Sequence, residues 1–368
     1  MTLFTSQDCD HMARALRLAE RGRYTAHPNP VVGCVLVKDH TVVGEGFHEK
    51  TGTAHAEVNA LQAAGENARG SVAYVTLEPC AHHGKTPPCA EALIEAGVSR
   101  VIAAMQDPNG EVAGRGLKLL ADAGIDVQAG LMESAATSLN RGFLKRVTEQ
   151  RPLVRLKLAC SIDGAIAMAS GESQWITGPE ARADVQRLRA RSGAIMTGIG
   201  TVLSDDPSLN VRATDLDTGG LQPIRVVLDS CLRMPADAGM LSLPGTTLVC
   251  CSGDPDAKAL QRTSAKVMPF SALDGRVDAD EVFQELAARG VNEVLVEAGA
   301  TLAGNLLERD LIDELVIYLA PHIMGSQTMG LVNTPSWVSL SDRRALTITD
   351  VRRIGGDTRI TATLRQAD

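Results

Sequence analysis

Apolar positions along the 368-residue chain fall into short runs with two alternating periods, and that alternation predicts a β/α protein. Asp8 to Arg21 carries Met12, Ala15, Leu16 and Ala19 at helical spacing, the stripe of an opening helix packed on a core. Val31 to Val37 and Val42 to Phe47 are β-rich runs around Lys38-Asp39-His40, which predicts a hairpin. A helix over His55 to Ala64, a buried strand over Ser71 to Leu77, a helix over Cys89 to Ala96, a strand over Val98 to Met105 and a helix over Leu117 to Ala123 are expected next.

Between Arg141 and Pro152 the pattern breaks into a polar stretch holding Lys145, Arg146 and Arg151, and a domain boundary is expected there. It separates a first domain over 1–147 from a second over 151–368. Leu153 to Ala159 alternates as a strand and leads into the turn Ser161-Ile162-Asp163-Gly164. Thr177-Gly178-Pro179-Glu180 has capping-box spacing and an early proline, so a helix is predicted from Pro179 to about Ala190. Ile224 to Leu228, Thr247 to Cys251, Glu293 to Glu297 and Glu314 to Leu319 read as strands. Leu346 to Val351 and Arg359 to Leu364 flank Gly355-Gly356-Asp357 as a closing antiparallel hairpin.

Composition narrows the class. With 44% hydrophobic residues and no Gly-X-Y, Pro-rich or Gln-rich tract, a disordered or fibrous chain is excluded. No apolar run approaches the roughly 18 residues of a membrane span, and Met1 to Glu20 has neither a basic n-region nor an apolar h-region. A cytoplasmic protein with no membrane partner is therefore expected. Its net charge of -8 is spread over both halves, and two Trp, three Tyr and five Phe supply few stacking platforms, so nucleic acid is not an expected partner. Eight cysteines are too sparse for a disulfide scaffold and fit a reducing compartment.

The strongest chemical signal is His55-Ala56-Glu57 followed by Pro79-Cys80 and then Cys89. One imidazole and two thiolates suit a borderline-soft zinc ion, and three protein ligands leave a fourth position for water. Zinc lowers the pKa of such a water to about 7. Glu57 stands about 200° round a regular helix from His55, poorly placed to chelate the same ion, so it is the expected proton carrier and the one catalytic residue singled out. Cys89 follows Pro87-Pro88 and opens a helix, whose N–H groups favour thiolate. For a lone histidine, packing is the commoner role; the company of Glu57, Cys80 and Cys89 tips the balance to a metal. A closed structural zinc, with His82 or His83 as fourth ligand, stands as the other arrangement and leaves Glu57 without a task.

His-Ala-Glu with a downstream Pro-Cys resembles the zinc-dependent cytidine and nucleobase deaminases, whose pattern is H-x-E then P-C-x-x-C. Here eight residues, Ala81 to Pro88, separate the cysteines where two are usual. The longer form, Glu78-Pro79-Cys80 through Thr86-Pro87-Pro88-Cys89, looks like the deaminase half of the bifunctional riboflavin-biosynthesis deaminase/reductases. His27-Pro28-Asn29-Pro30-Val31-Val32-Gly33, Gln106-Asp107-Pro108-Asn109, Val112-Ala113-Gly114-Arg115-Gly116 and Gly171 to Thr177 match as well, so the resemblance covers nearly the whole chain. Gly110-Glu111 departs from the family's proline after Asn109.

The resemblance implies an α/β chain with a cytidine-deaminase-like three-layer domain and a dihydrofolate-reductase-like mixed-sheet domain. It implies one zinc ion per chain, NADPH, and a phosphorylated pyrimidine as the small-molecule partner of a homo-oligomer. Deamination of a diamino-ribosylamino-pyrimidinone phosphate would be followed by reduction of its ribosyl group. Asn29 would orient the pyrimidine, while Lys85, Asp107 and Asn109 would hold the ribose phosphate. Ala159, Trp175, Thr201, Asp205, Ser230 and the segment Gly299, Ala300, Thr301, Leu302, Ala303, Gly304 and Asn305 would surround the nicotinamide cofactor. Ser173, Arg189, Leu209, Arg212 and Glu297 would contact the reductase substrate, the two arginines as phosphate clamps. From spacing alone the second half says less: Gly198-Ile199-Gly200 lacks a third glycine at Leu203, so no Rossmann fingerprint is present, and Gly299 to Asn305 reads as an ordinary strand-to-helix turn. Two further readings stay open: a single-activity zinc deaminase whose second domain serves binding or assembly, and a structural zinc module in a non-catalytic protein.

Overall fold

In the computed structural model, residues 4–81, 87–108, 113–253 and 257–364 are described. Two contact units, Met1–Gln150 and Arg151–Asp368, divide the chain.

The first unit opens with α1 (Ser6–Ala19), whose N-cap Thr5 and third residue Asp8 exchange capping-box hydrogen bonds. A hairpin follows, β1 (Gly33–Lys38) and β2 (Thr41–Phe47), turning on Asp39 and His40, both at positive φ as a two-residue primed turn requires. Then come α2 (Ala56–Ala64), β3 (Val72–Val75), α3 (Cys89–Ala96), β4 (Arg100–Ala103), α4 (Arg115–Asp122), β5 (Asp126–Ala129), α5 (Glu133–Leu139) and α6 (Arg141–Glu149). The sheet runs β2-β1-β3-β4-β5, with β1 antiparallel to both neighbours and β3, β4 and β5 parallel. A Cβ on Gly33 would meet the Ala15 carbonyl of α1 at 2.0 Å, and one on Gly46 would meet the Ala56 carbonyl of α2 at 2.3 Å. Gly46 pairs with Cys34, and successive strand residues face opposite sides, so α1 and α2 cover opposite faces in three layers. The missing side chain at Gly46 lets the start of α2 sit close on the sheet.

The second unit holds β6 (Leu153–Ser161), β7 (Ala165–Met168), α7 (Pro179–Arg191), β8 (Ala194–Gly198), α8 (Ile199–Asp205), β9 (Ile224–Leu228), β10 (Thr247–Ser252) and β11 (Ala265–Phe270). After the short pair β12 (Ala272–Leu273) and β13 (Arg276–Val277) come α9 (Ala279–Ala288), β14 (Glu293–Glu297), α10 (Ala300–Glu308), β15 (Glu314–Ala320), β16 (Thr328–Gly330), β17 (Leu346–Ile354) and β18 (Asp357–Leu364). The nine-stranded sheet has the order β11-β10-β9-β8-β14-β6-β15-β18-β17, parallel as far as β15 and antiparallel through β18 and β17. Its central strands are buried on both faces, which is why Val294, Leu295 and Val296 form an unbroken apolar run. The mixed sheet expected for this half is present.

Two local expectations are corrected. The polar stretch Arg141 to Pro152 is largely the helix α6, most of whose residues are half-buried, and the division of the chain falls within that stretch just after it, between Gln150 and Arg151. The capping box at Thr177 does not form: the N-cap of α7 is Gly178, with no side-chain cap, and Pro179 at the first turn starts the helix through its fixed φ. Arg155, on β6, is 1% exposed and pairs with Glu293 of β14 and Glu314 of β15, while Arg191 shares Glu293.

Candidate active sites

In the first unit, chain geometry brings three ligands to one point. His55 is the N-cap of α2, with φ -75° and ψ 166°, so its imidazole leaves the helix end in an extended conformation. The angular argument for Glu57 therefore needs correcting, because only Glu57 lies within the helix. Cys80 follows β3 and Cys89 is the first residue of α3, whose N–H donates to the Cys80 Sγ at 3.3 Å. His55 Nδ1 lies 3.2 Å from Cys89 Sγ and 3.7 Å from Cys80 Sγ, and all three ligand atoms fall within 4.8 Å of one another. A tetrahedral zinc with ordinary Zn–N and Zn–S lengths holds such atoms about 3.6 Å apart. The donor set and its spacing fit zinc, and it is the one such group among the described residues.

Hydrogen bonds from Cys89 outweigh burial and, with those from His55, hold the Cys80 thiol down at about 4, while the same contact and burial hold Cys89 up. The helix start thus serves Cys80 as well as Cys89, because the first N–H of α3 is directed at the Cys80 sulfur. Glu57, 3% exposed, is pushed up to about 7, first by burial. Its carboxylate adjoins the Cys89 thiol.

Asn29 lies against His48, Nδ2 to Nε2 at 3.1 Å, and the other His48 nitrogen, Nδ1, donates to the Ala54 carbonyl at 3.2 Å. His48 is 2% exposed, and its ring meets that of His55 edge-on at 5.4 Å. It was missed in the sequence because an isolated histidine has no pattern. The Asp107 N–H donates to Glu78 Oε2 at 3.1 Å, which ties that residue to the strand exit carrying Cys80. Lys85, Asn109, His82, His83 and the Gly110-Glu111 departure lie outside the described residues.

In the second unit the candidate positions gather where parallel strands end. Neighbouring β9, β8, β14 and β6 run toward Ser230, Thr201 with Asp205 on α8, Gly299, and Ala159. Carboxyl ends of parallel strands form the ligand crevice of open α/β sheets. α10 opens on Gly299 with no side-chain cap, and a Cβ there would meet nothing within 4 Å, so the helix start is uncapped and its first residue uncrowded. The segment divides beyond that point. Ala300, Thr301 and Leu302 lie in the first turn, but Ala303 is core, and a Cβ on Gly304 would stand 1.7 Å from the Asn333 carbonyl. Gly304 thus serves helix packing, and Asn305 is half-buried behind it. Ser230 Oγ accepts the Val277 N–H at 3.0 Å. Trp175 is 70% exposed, with the Arg182 guanidinium 4.7 Å from its ring centre.

The Arg189 fork is already engaged: Nε and Nη2 donate to Glu297 at 2.6 and 3.0 Å, and Nη1 to the Asn210 carbonyl at 3.1 Å. Burial pushes Glu297 up, but the Arg189 charge and hydrogen bonds outweigh it and hold the carboxyl below its ordinary value. Lys157, opposite Glu297 in the β6–β14 register, was overlooked as one polar position in an alternating strand. Arg212 is exposed and donates to Asn210 Oδ1, Leu209 beside it is buried, and Ser173 is half-buried.

Residues 5–105 match the cytidine and deoxycytidylate deaminase zinc-binding region, and residues 152–360 match the RibD C-terminal domain. A riboflavin biosynthesis protein RibD of Escherichia coli is 51% identical over 360 residues, 95% of this chain and 98% of that protein. A solved RibD of Acinetobacter baumannii has a TM-score of 0.90 at 45% identity, covering 98% of this chain and 99% of that one. A Thermotoga maritima structure, a diaminohydroxyphosphoribosylaminopyrimidine deaminase/5-amino-6-(5-phosphoribosylamino)uracil reductase, has a TM-score of 0.84 at 30% identity with the same coverage. With a deaminase unit and a reductase unit both matched and the whole length covered, the chain belongs to the RibD family of bifunctional riboflavin-biosynthesis enzymes.

Proposed function

We propose that the first unit deaminates a diamino-ribosylamino-pyrimidinone phosphate and that the second reduces its ribosyl group, giving an amino-ribitylamino-uracil phosphate. The observation that carries this reading is a buried carboxylate, Glu57, beside a His55–Cys80–Cys89 triangle of zinc-ligand dimensions. Those three residues would hold one zinc ion per chain, which supplies Lewis acidity toward water. Hydrolytic loss of an amine requires a proton to pass from the attacking water to the departing nitrogen. Glu57, held near 7, can accept and return one at neutral pH. Asn29, fixed by His48, is the residue proposed to orient the ring, with Lys85, Asp107 and Asn109 at the phosphate end.

NADPH, when bound, supplies the hydride of the second step. The uncapped start of α10 at Gly299, with Ala159, Trp175, Thr201, Asp205 and Ser230 around the strand ends, is the proposed cradle. Lys157, Arg189 and Arg212 around the single carboxylate of Glu297 leave an excess of positive charge, which suits a phosphorylated ligand held with Ser173 and Leu209. We place the enzyme in the cytoplasm; among the described residues no helix is long and apolar enough to cross a membrane. Exposed Ile348 and Val351 on the edge strand β17 support self-association.

Zinc-loaded protein given the diaminopyrimidine phosphate alone should release ammonia stoichiometrically, and NADPH added afterwards should be consumed in equal amount. NADPH oxidation without the phosphorylated pyrimidine, or ammonia release unaffected by zinc removal, would refute the reading.

A further inference from the structure

Glu78 lies two residues before Cys80, is 5% exposed, and has no cationic side chain among the hydrogen-bond partners found for it. Its partners are four backbone amides of one later segment. Oε2 accepts from Asp107 at 3.1 Å and Gly114 at 2.9 Å, while Oε1 accepts from Gly116 at 2.8 Å and Leu117 at 3.3 Å. The last two belong to the opening turn of α4, whose N-cap, Gly114, has φ +76° and no side chain to offer. Glu78 therefore caps α4 from a distant part of the chain, and one oxygen gathers Asp107 and Gly114 together. The fit is tight on the other side as well. A Cβ on Gly116 would stand 1.8 Å from the carbonyl oxygen of Pro79, the residue joining Glu78 to Cys80. The Glu78 N–H completes the clasp by donating to the Met105 carbonyl at 3.0 Å.

We infer that Glu78 is a positioning residue for deamination. Its carboxylate docks the Asp107 segment and the start of α4 onto the strand exit that carries Cys80, and so fixes the distance between the substrate-holding end of the site and its metal-ligand end. The inference rests on the reading that Asp107 contacts the substrate. Four amides converging on two oxygens need two acceptors. In Glu78→Gln one oxygen becomes an NH2 group facing N–H donors, and one pair of amides must let go.

The test uses the full-length, zinc-loaded protein and reads KM and kcat for ammonia release separately, with zinc content, amide hydrogen exchange and reduction of the deaminated pyrimidine alongside. Glu78→Gln should retain zinc and reduction, raise the deaminase KM by about tenfold or more, as expected for loss of charge-assisted hydrogen bonds, and lower kcat less. Exchange at Asp107, Gly114, Gly116 or Leu117 should accelerate. Asp107→Ala should raise the same KM. A raised KM in Asp107→Ala with an unchanged KM in Glu78→Gln overturns the positioning role alone. An unchanged KM in Asp107→Ala overturns the substrate-end reading and this inference with it. Loss of zinc from Glu78→Gln assigns the carboxylate to the metal ligands and also overturns it. If the Gln variant does not fold, Glu78→Asp, whose carboxylate is one methylene further back, must show the KM rise by itself; a parental KM there counts against the inference.

Discussion

Replacing Glu57 by Gln isolates proton transfer from metal binding. Glutamine keeps the size and planarity of the side chain in a site only 3% exposed, so neither a cavity nor a new water channel is created. What disappears is a group able to take a proton and give it back. A positioned general acid/base contributes roughly 10²- to 10⁴-fold, which corresponds to about 3–5 kcal/mol of barrier. Burial favours at least the lower figure, because a side chain only 3% exposed leaves little room for solvent to take over its role. Ammonia release should therefore fall by at least about 10²-fold, with zinc still bound through His55, Cys80 and Cys89. Reduction should survive when the deaminated pyrimidine is supplied, since the nicotinamide site is proposed within residues 151–368. Cys80→Ser is the contrasting variant, expected to lose metal and ammonia release together. Ammonia release and elemental analysis on the same preparations decide the matter. Near-parental release from Glu57→Gln at one zinc per chain would refute the proton-carrier role, and zinc loss in that variant would make Glu57 a ligand.

Arg212→Ala should raise the reductase KM for the phosphorylated pyrimidine by about tenfold while leaving NADPH binding unchanged, because Arg189 is committed to Glu297 and Arg212 is the exposed guanidinium of the pair; equal losses for both ligands would place the phosphate elsewhere. A fragment ending at Gln150 should melt cooperatively with zinc present, whereas one ending at residue 147 cuts the last turn of α6 and should be less stable; absence of any cooperative melt in the longer fragment would count against the boundary. Burial pushes Glu293 up, but Arg191 and Arg155 outweigh it and hold it at about 2, below its ordinary 4.5. Its stabilisation, about 3 kcal/mol, is thus complete above 4.5 and lost as pH falls toward 2, and denaturant midpoints of Glu293→Gln should be flatter than the parent's across that window.

The β/α series and the metal triangle were legible because both depend on short-range pattern: alternation within a strand, and ligand types at spacings bridged by a few elements. Features that depend on distant partners were not. β5 is an edge strand of four residues, Asp-Val-Gln-Ala, with too little burial to leave an apolar run. α6 looked like a boundary because its charges outnumber its buried positions, yet Asn140, at its start, bonds the Val31 N–H and carbonyl from 109 residues away. The Arg189–Glu297 pair spans 108 residues, so both could be named as substrate contacts without any sign that they hold each other. Glu78 was visible only as one letter of a motif, since its partners are backbone amides, which every residue type supplies.

Buried acids in the two units are treated in opposite ways, and the difference indicates what each site still lacks. Glu293 is also buried, but Arg191 at the end of α7 and Arg155 on β6 outweigh burial and lower its pKa, so that charge is satisfied within the fold. Burial is the main force on Glu57 and raises it, against the smaller opposing charge of His55, and the neighbouring Cys89 thiol is raised too. A cluster of acids that cannot all ionise is relieved by a cation from outside the chain, and a divalent ion with three soft or borderline ligands already converging is the economical solution. At Glu297 the imbalance has the other sign. One carboxylate faces Arg189, Arg212 and Lys157, whose pKa burial lowers, and that surplus suits an anion. Charge thus supports the proposed metal in the first unit and the proposed phosphorylated ligand in the second, independently of any motif.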